Sequence, residues 1–372
     1  MQLTRLALSN FRNYGELDVE PPPGLNLLVG ANAQGKSNLL EAIAMLGTGK
    51  SFRTGRDVDT VREGAESAVV RGEARVRAGN VNLACTIAKG SRGTRKVYTI
   101  NGRDVRYSSF LGRLRVVTFV PADLQLAGGA PTLRRAFLNV ALSQEEPRYY
   151  RDLVRYRNAL AQKNALLRAA VPLDAELLAI YDRALVEAGT QIILARDRFI
   201  RELAEAARNA HAQFSAGAER LDVGYDSNVA FETATAQTVA AAFDARLAAV
   251  AESERQRKTS IAGPHRDDLS LTLDRRSLAA YGSQGQQRTA VLALKIAEYG
   301  VLRESSGEAP LLLLDDVLSE LDERRAAAFL AGVGDYEQAF VTATQAPSGL
   351  PSAARIHTIV NARVAAGAAA AC

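Results

Sequence analysis

Apolar and polar positions alternate along residues 2–9 and 13–19, the two-residue period of half-buried strands. The two runs flank Asn10-Phe11-Arg12-Asn13-Tyr14. Pro21-Pro22-Pro23-Gly24 breaks the pattern, and the mostly apolar run Leu25-Asn26-Leu27-Leu28-Val29 follows. Strand-like runs recur at 67–77, 81–88 and 95–100, with Asn101-Gly102 as a hairpin turn signal. Val116-Val117-Thr118-Phe119-Val120 forms another, ending at Pro121. After about residue 126 the period changes. Residues 132–142, 147–168, 174–214 and 235–257 carry helical spacing, few glycines and dense Ala, Leu and Arg. A short strand signal at 219–224 interrupts them, and strand character returns at 269–273, 311–314 and 338–343. The pattern predicts an α/β head split in sequence, residues 1–126 and 260–372, with a mainly helical lobe, 127–259, inserted between its halves. The helical run is too short and too interrupted for a long coiled coil, which needs sustained heptads. Antiparallel helices are expected instead. The Ala- and Val-rich tail after Asn361 is expected to fray.

Bulk composition narrows the class only a little. The 372 residues suffice for two domains, and 47% hydrophobic content is ordinary for a globular protein. No run of eighteen apolar residues predicts a membrane span, and the opening residues read as a strand rather than a signal peptide. Cys85 and Cys372 stand far apart in no metal spacing, which points to a reducing cytoplasm without a disulfide or zinc framework. A net charge of +5 is compatible with nucleic-acid contact. Lysine stands at only seven positions, so arginine dominates, a bias a GC-rich genome explains.

The sharpest chemical signal lies at Gly30-Ala31-Asn32-Ala33-Gln34-Gly35-Lys36-Ser37, a complete Gly-x-x-x-x-Gly-Lys-Ser phosphate-binding loop. An apolar strand pattern precedes it, and the helical pattern from Asn38 to Leu46 follows. Strand, glycine loop and helix are the context that motif requires. Backbone N–H groups curl around a triphosphate, and the helix start adds its positive dipole end. Lys36 is expected to pair with the outer phosphates and Ser37 to hold Mg²⁺.

Leu311-Leu312-Leu313-Leu314-Asp315-Asp316 has the form of a Walker B strand. Asp315 would reach the Mg²⁺ shell, and Asp316 stands where a residue could orient the attacking water. The same pattern fits a core strand ending in an acidic turn. Upstream, Tyr281-Gly282-Ser283-Gln284-Gly285-Gln286-Gln287-Arg288 opens a helical run. Ser283 and Gln286 read as a Ser-x-x-Gln capping box. That reading leaves Gly285 and the long polar stretch unexplained, and a helix N-terminus with a serine hydroxyl and a bare glycine can hold an anion. Ser283 precedes Asp315 by 32 residues, room for one helix, a turn and one strand.

The order of phosphate loop, helical insertion, Ser283-Gln284-Gly285-Gln286 and Walker B resembles the ABC-type ATPase head. Ser319-Glu320-Leu321-Asp322 looks like that superfamily's D-loop. The resemblance implies an ATP-dependent homodimer in which Ser283, Gly285 and Gln286 cap the ATP held by the other subunit. Five blocks in order are similar to the RecF family, relatives of the SMC and Rad50 heads: Leu8–Tyr14, Gly30–Ser37, Gly49–Thr54, Gly263-Pro264-His265-Arg266-Asp267-Asp268, and Leu313 with Asp315 and Asp316. What this resemblance implies is a cytoplasmic, nucleoid-associated protein that binds ATP and Mg²⁺. It would dimerise on DNA at gaps or single-strand/double-strand junctions, work with RecR and RecO, and assist recombinase loading, with slow hydrolysis tied to release. Three departures stand out, of which the missing histidine and the shorter aspartate agree with slow turnover while the first carries no catalytic claim. Ala122 stands where the family often has a glutamate, no histidine follows Val341-Thr342-Ala343-Thr344, and Asp316 is one carbon shorter than the usual glutamate.

Other residues complete the candidate set. Arg12 and Asn13 are candidates for the phosphates or ribose, or for a plain turn. Arg53 follows the phosphate-loop helix and is read as approaching the triphosphate or DNA. Arg134, Arg135, Arg148, Arg151, Arg155 and Arg157 stud the first inserted helices, with Arg151 and Arg155 on one face. They fit either a solvated surface or phosphate-backbone contact. His265 and Arg266 have no assigned chemistry. An SMC-type structural ATPase would need long coiled coils, a transporter ATPase would want the switch histidine, and a small-molecule kinase would not need the Ser283 and Ser319 motifs.

Overall fold

The computed structural model describes residues 1–91, 93–169, 174–316, 336–346 and 354–365. The chain divides into two units, Met1–Leu124 with Glu298–Cys372, and Gln125–Ala297.

The first unit is built on two six-stranded sheets. One is antiparallel, in the order β2(Tyr14–Val19), β1(Gln2–Phe11), β4(Ser67–Val76), β5(Gly79–Gly90), β6(Gly93–Ile100), β7(Arg103–Val105). The hairpin turn at Asn101 and Gly102 takes positive φ at both residues, as a two-residue loop between twisted strands requires. The other sheet runs β15(Arg363–Ala365), β14(Arg355–Val360), β3(Gly24–Val29), β13(Gln338–Ala343), β12(Leu311–Leu314), β8(Val116–Phe119). Its five strands from β14 to β8 are parallel, and β15 closes an antiparallel hairpin at one edge. All four leucines of β12 are buried, as a doubly covered parallel strand demands. Helix α1(Lys36–Thr48) touches strands of both sheets. Leu39, Leu40, Ile43, Met45 and Leu46 are all buried, so the helix is apolar on nearly every face. The short helix α2(Tyr107–Phe110) leads into β8.

The second unit holds α3(Gln125–Gly128), α4(Pro131–Glu145), α5(Pro147–Arg168), α6(Ala175–Ser215) and α7(Ala236–Arg257). Proline opens α4 and α5, where its missing N–H costs nothing. Asp174 caps α6 by accepting from the N–H of Leu177. The unit also has a sheet of its own, in the order β11(Arg276–Ser277), β10(Asp268–Leu273), β9(Leu221–Asp226). This revises one expectation. The strand at 269–273 is not the return of the head. It pairs antiparallel with β9 over six residues, and the first unit resumes only at Glu298. α8(Leu278–Tyr281) and α9(Gln284–Ser306) follow. The β14–β15 hairpin was not anticipated. Part of the expected fraying tail is ordered there, as Arg363–Ala365 pairs with β14.

Candidate functional site

The chain leaves β3 through Gly30–Gly35 and enters α1 at Lys36. Ala33 and Gly35 take positive φ, 64° and 113°. A Cβ on Gly35 would stand 3.0 Å from Asn13 Nδ2 and from the Tyr14 hydroxyl, so backbone and space both demand glycine. Tyr14 is buried, donates to the Gly35 carbonyl at 3.1 Å, and has its pKa pushed up by burial. The β14–β15 turn holds the loop from another direction. Asn361 N–H donates to Gln34 Oε1 at 2.6 Å, and Ala362 N–H to the Gln34 carbonyl at 3.0 Å. Lys36 is 8% exposed, and its Nζ donates to the carbonyls of Gly30 at 2.5 Å and Ala31 at 2.9 Å. The ammonium is therefore held inside the loop, while Ala31, Asn32 and Ala33 are exposed.

Asp315 follows β12 directly, and its N–H donates to Phe119 at 2.9 Å. Its Oδ1 accepts from Ser37 Oγ at 2.7 Å and from Thr342 Oγ1 at 3.0 Å. Asp316 is exposed, takes φ 53°, and donates its N–H to Thr342 Oγ1 at 2.8 Å. Sheet order explains this meeting. β13 lies between β3 and β12, so its Thr342 stands between the phosphate loop and the two carboxylates. Ser37 Oγ and Asp315 Oδ1 form a pair of hard oxygens. That suits Mg²⁺, which keeps waters and needs only one or two protein oxygens beside phosphates. The sequence alone does not single out Thr342, and its nearest departure is the absent histidine after Thr344. A hydroxyl at the carboxyl end of a central parallel strand was the available signal.

A second residue missed in sequence organises the far side of the loop. Glu41 on α1 has a fully buried side chain and takes Arg12 in a two-pronged pair, Nε at 2.9 Å and Nη2 at 2.6 Å. Arg12 Nη1 reaches the Asp59 carbonyl at 2.6 Å. Ser51 Oγ donates to Glu41 at 2.5 Å and accepts the N–H groups of Arg53 and Thr54. Arg53 lies 3.8 Å from Glu41 and donates to Asn38 Oδ1, while Asn38 Nδ2 donates to Asn13 Oδ1 at 2.8 Å. Arg12, Asn13, Asn38 and Arg53 are thus joined with the phosphate loop in one network. The Arg12 guanidinium is committed to Glu41, while Arg53 stays partly exposed at 45%.

Ser283, Gly285 and Gln286 lie in the second unit. Ser283 and Gln286 form the expected capping box: Gln286 Oε1 accepts the Ser283 N–H at 2.8 Å, and Ser283 Oγ accepts the Gln286 N–H at 3.2 Å. Gln286 Nε2 also donates to Glu219 at 2.8 Å. Ser283 is exposed and Gly285 half-buried at the start of α9. Ser319–Asp322 falls outside the described residues.

Arg134 must leave the proposed DNA face. It is 8% exposed, forks onto Asp268 at 2.8 and 2.7 Å, and donates to the carbonyls of Leu126 and Gly129. Arg135 is half-buried and donates to the Asp267 carbonyl at 2.7 Å, while Arg151 and Arg155 are exposed on α5.

The Gly263–Asp268 turn ties the second unit together. Buried Asp267 accepts from Arg196 at 2.9 Å, from the Tyr225 hydroxyl and from the Asn228 N–H at 2.8 Å. His265 Nδ1 accepts from the Tyr156 hydroxyl at 2.6 Å and Nε2 donates to the Ser260 carbonyl at 3.1 Å. Both ring nitrogens are used by the neutral form, and burial lowers its pKa to about 4.

Fold and site together define an ABC-type phosphate-loop head with a helical insertion. Residues 2–362 match the RecF/RecN/SMC N terminal domain family. The chain is 43% identical over 347 residues to the DNA replication and repair protein RecF of Symbiobacterium thermophilum, covering 92% of each. It is 42% identical to that of Thermosynechococcus vestitus, covering 94% of this chain and 93% of that one. A solved structure of the recombination mediator RecF with ATP, in the RecFOR pathway, superposes with a TM-score of 0.90 at 32% identity, covering 99% and 97%. The Smc head domain from Pyrococcus furiosus, at 16% identity and TM-score 0.54, shares the fold. The chain belongs to the RecF family.

Proposed function

We propose that this chain is an ATP-switched DNA-binding protein that dimerises on DNA at gaps or single-strand/double-strand junctions. There it assists recombinase loading with RecR and RecO, in the cytoplasm. The observation that carries the ATP reading is the meeting of Ser37, Asp315 and Thr342 beside the Lys36 loop. In this reading the loop N–H groups and Lys36 bind the triphosphate, and Ser37 and Asp315 supply oxygens to Mg²⁺. The ion would screen the phosphate charge. Asp316 orients the attacking water, and its short side chain and the missing histidine suit slow turnover. Ser283, Gly285 and Gln286 act on the ATP of the second subunit, so two buried triphosphates favour the closed dimer. Exposed Arg151 and Arg155, with Arg53 and Arg135, meet the DNA backbone.

Support comes from the RecF–ATP neighbour and from the repair proteins the chain is similar to. The test is sedimentation velocity with a gapped duplex, without nucleotide, with ATP, and with ATP for Lys36→Met and Ser283→Arg. An ATP-dependent DNA-bound dimer, lost in both variants, is the expected outcome. A wild-type protein that binds DNA as a monomer regardless of ATP would refute the dimer clamp.

A further inference from the structure

The second unit carries a cleft of about 280 Å³ between α4, α5 and the Gly263–Asp268 turn. Its lining includes Thr132, Arg135, Asn139, Arg157, Arg196 and His265. The charges around it are unequally matched. Arg196 is paired with Asp267, and Arg134 nearby with Asp268. Arg135 and Arg157 have no carboxylate within salt-bridge distance among the described residues. Burial, then Arg196 and Arg266, lower the pKa of Arg135, while the more distant Asp268 and Asp267 offset part of that shift.

The neutral groups add donors. Asn139 Oδ1 accepts from Tyr149 at 2.6 Å and from Arg196 Nη2 at 3.1 Å. Arginine can only donate, so these bonds fix the amide: oxygen towards Arg196, and the two Nδ2 donors without a protein partner among the described residues. His265 is spent on Tyr156 and Ser260 and adds no positive charge near neutral pH. A partly enclosed cleft in which Arg157 is unengaged, Arg135 is bound only to the Asp267 carbonyl, an amide donor is spare and no carboxylate is unpaired selects a compact oxyanion. Two arginine forks suit the several oxygens of a phosphate.

We propose that the cleft at Arg135, Asn139 and Arg157 binds a phosphate group. The phosphate comes either from a nucleic-acid backbone or from a free phosphorylated ligand. The first source deepens the DNA-binding reading and rests on it; the second does not.

Two arms test this with the full chain. Crystals soaked in sodium tungstate, a tetrahedral anion with anomalous scattering, report the cleft directly. A peak between Arg135 and Arg157 is expected, absent in Arg157→Gln crystals. Arg157 is exposed and makes no hydrogen bond or ion pair among the described residues, so this variant should fold like the parent. The second arm is fluorescence anisotropy of a gapped duplex with ATP between 50 and 200 mM salt. If the backbone supplies the phosphate, log affinity against log salt becomes shallower by about 0.9 in Arg157→Gln. A peak with an unchanged slope assigns the cleft to a free phosphate. No peak together with an unchanged slope overturns the proposal. Should wild type bind no DNA, the repair reading fails while the tungstate arm still decides the cleft.

Discussion

A single carboxylate, Glu41, joins the phosphate-loop helix to two arginines and a serine. Its side chain has no access to water, so its charge depends on those partners. Arg12 matches it in a two-pronged geometry, the stronger form of the guanidinium–carboxylate pair. Glu41→Gln keeps the shape and removes the charge. Arg12 then faces one acceptor oxygen and an amide that competes as a donor. Breaking a buried pair from one side costs about 3–5 kcal/mol. Arg12 is 18% exposed and can regain some water, so a loss at the lower end is expected in urea unfolding. Nucleotide affinity should fall as well, because the Ser51–Thr54 segment loses its anchor. Unchanged stability would mean that the network is ornamental to the fold. Ser37 and Asp315 act over a comparable distance, but their pairing bridges 278 positions and was readable only because each sits in a recognisable motif.

At the scale of elements, the Gly263–Asp268 turn is a tightly packed joint of the second unit. Gly263 has φ 120°, and a Cβ there would stand 2.6 Å from the Phe243 ring and closer still to the Tyr156 hydroxyl. Gly263→Ala therefore meets backbone strain and overpacking together, each costing about 1–3 kcal/mol. A loss of at least about 2 kcal/mol is expected by denaturant titration, and a change below 0.5 kcal/mol would refute the account. Local signals served the sequence reading well where a whole element is written in a short stretch. The phosphate loop, β12, α5 and the Ser283 capping box are of this kind. The failures are non-local. β10 looked like the returning head because its pattern cannot say that β9 is its partner. Arg134 looked like surface because Asp268 lies 134 positions away. The β14–β15 hairpin was hidden by a turn, Asn361-Ala362, that lacks the glycine its positive φ values favour. Glu41 acts through contacts that no spacing announces, and Thr342 is marked only by its place at the end of a central strand.

Across the whole molecule, all three histidines share one electrostatic condition. His211, His265 and His357 have lowered pKa values, with burial the leading cause in each. Two lie in the second unit and one in the first. A histidine held neutral when folded takes up a proton more readily once unfolded. The unfolded chain then binds more protons below its ordinary pKa of 6.5, so stability falls as pH falls. For His265 the window runs from 6.5 down to about 4. Arg266 nearby strengthens the shift, whereas Asp267 and Glu254 weaken it. At pH 5 the loss from this residue is about 2 kcal/mol, since each pKa unit corresponds to about 1.4 kcal/mol. Asp152 and Glu145, whose carboxyls burial pushes up, act in the opposite sense but only towards the carboxylate range. Urea unfolding at pH 7 and pH 5 should therefore show a drop in wild type that is smaller by about 2 kcal/mol in His265→Gln. Glutamine can still accept from Tyr156 and donate to Ser260, so the variant removes the titration while keeping those bonds. Equal drops in the two proteins would show that His265 is not held neutral by its burial, and the knot at Tyr156 and Ser260 would then tolerate a charge that its geometry argues against.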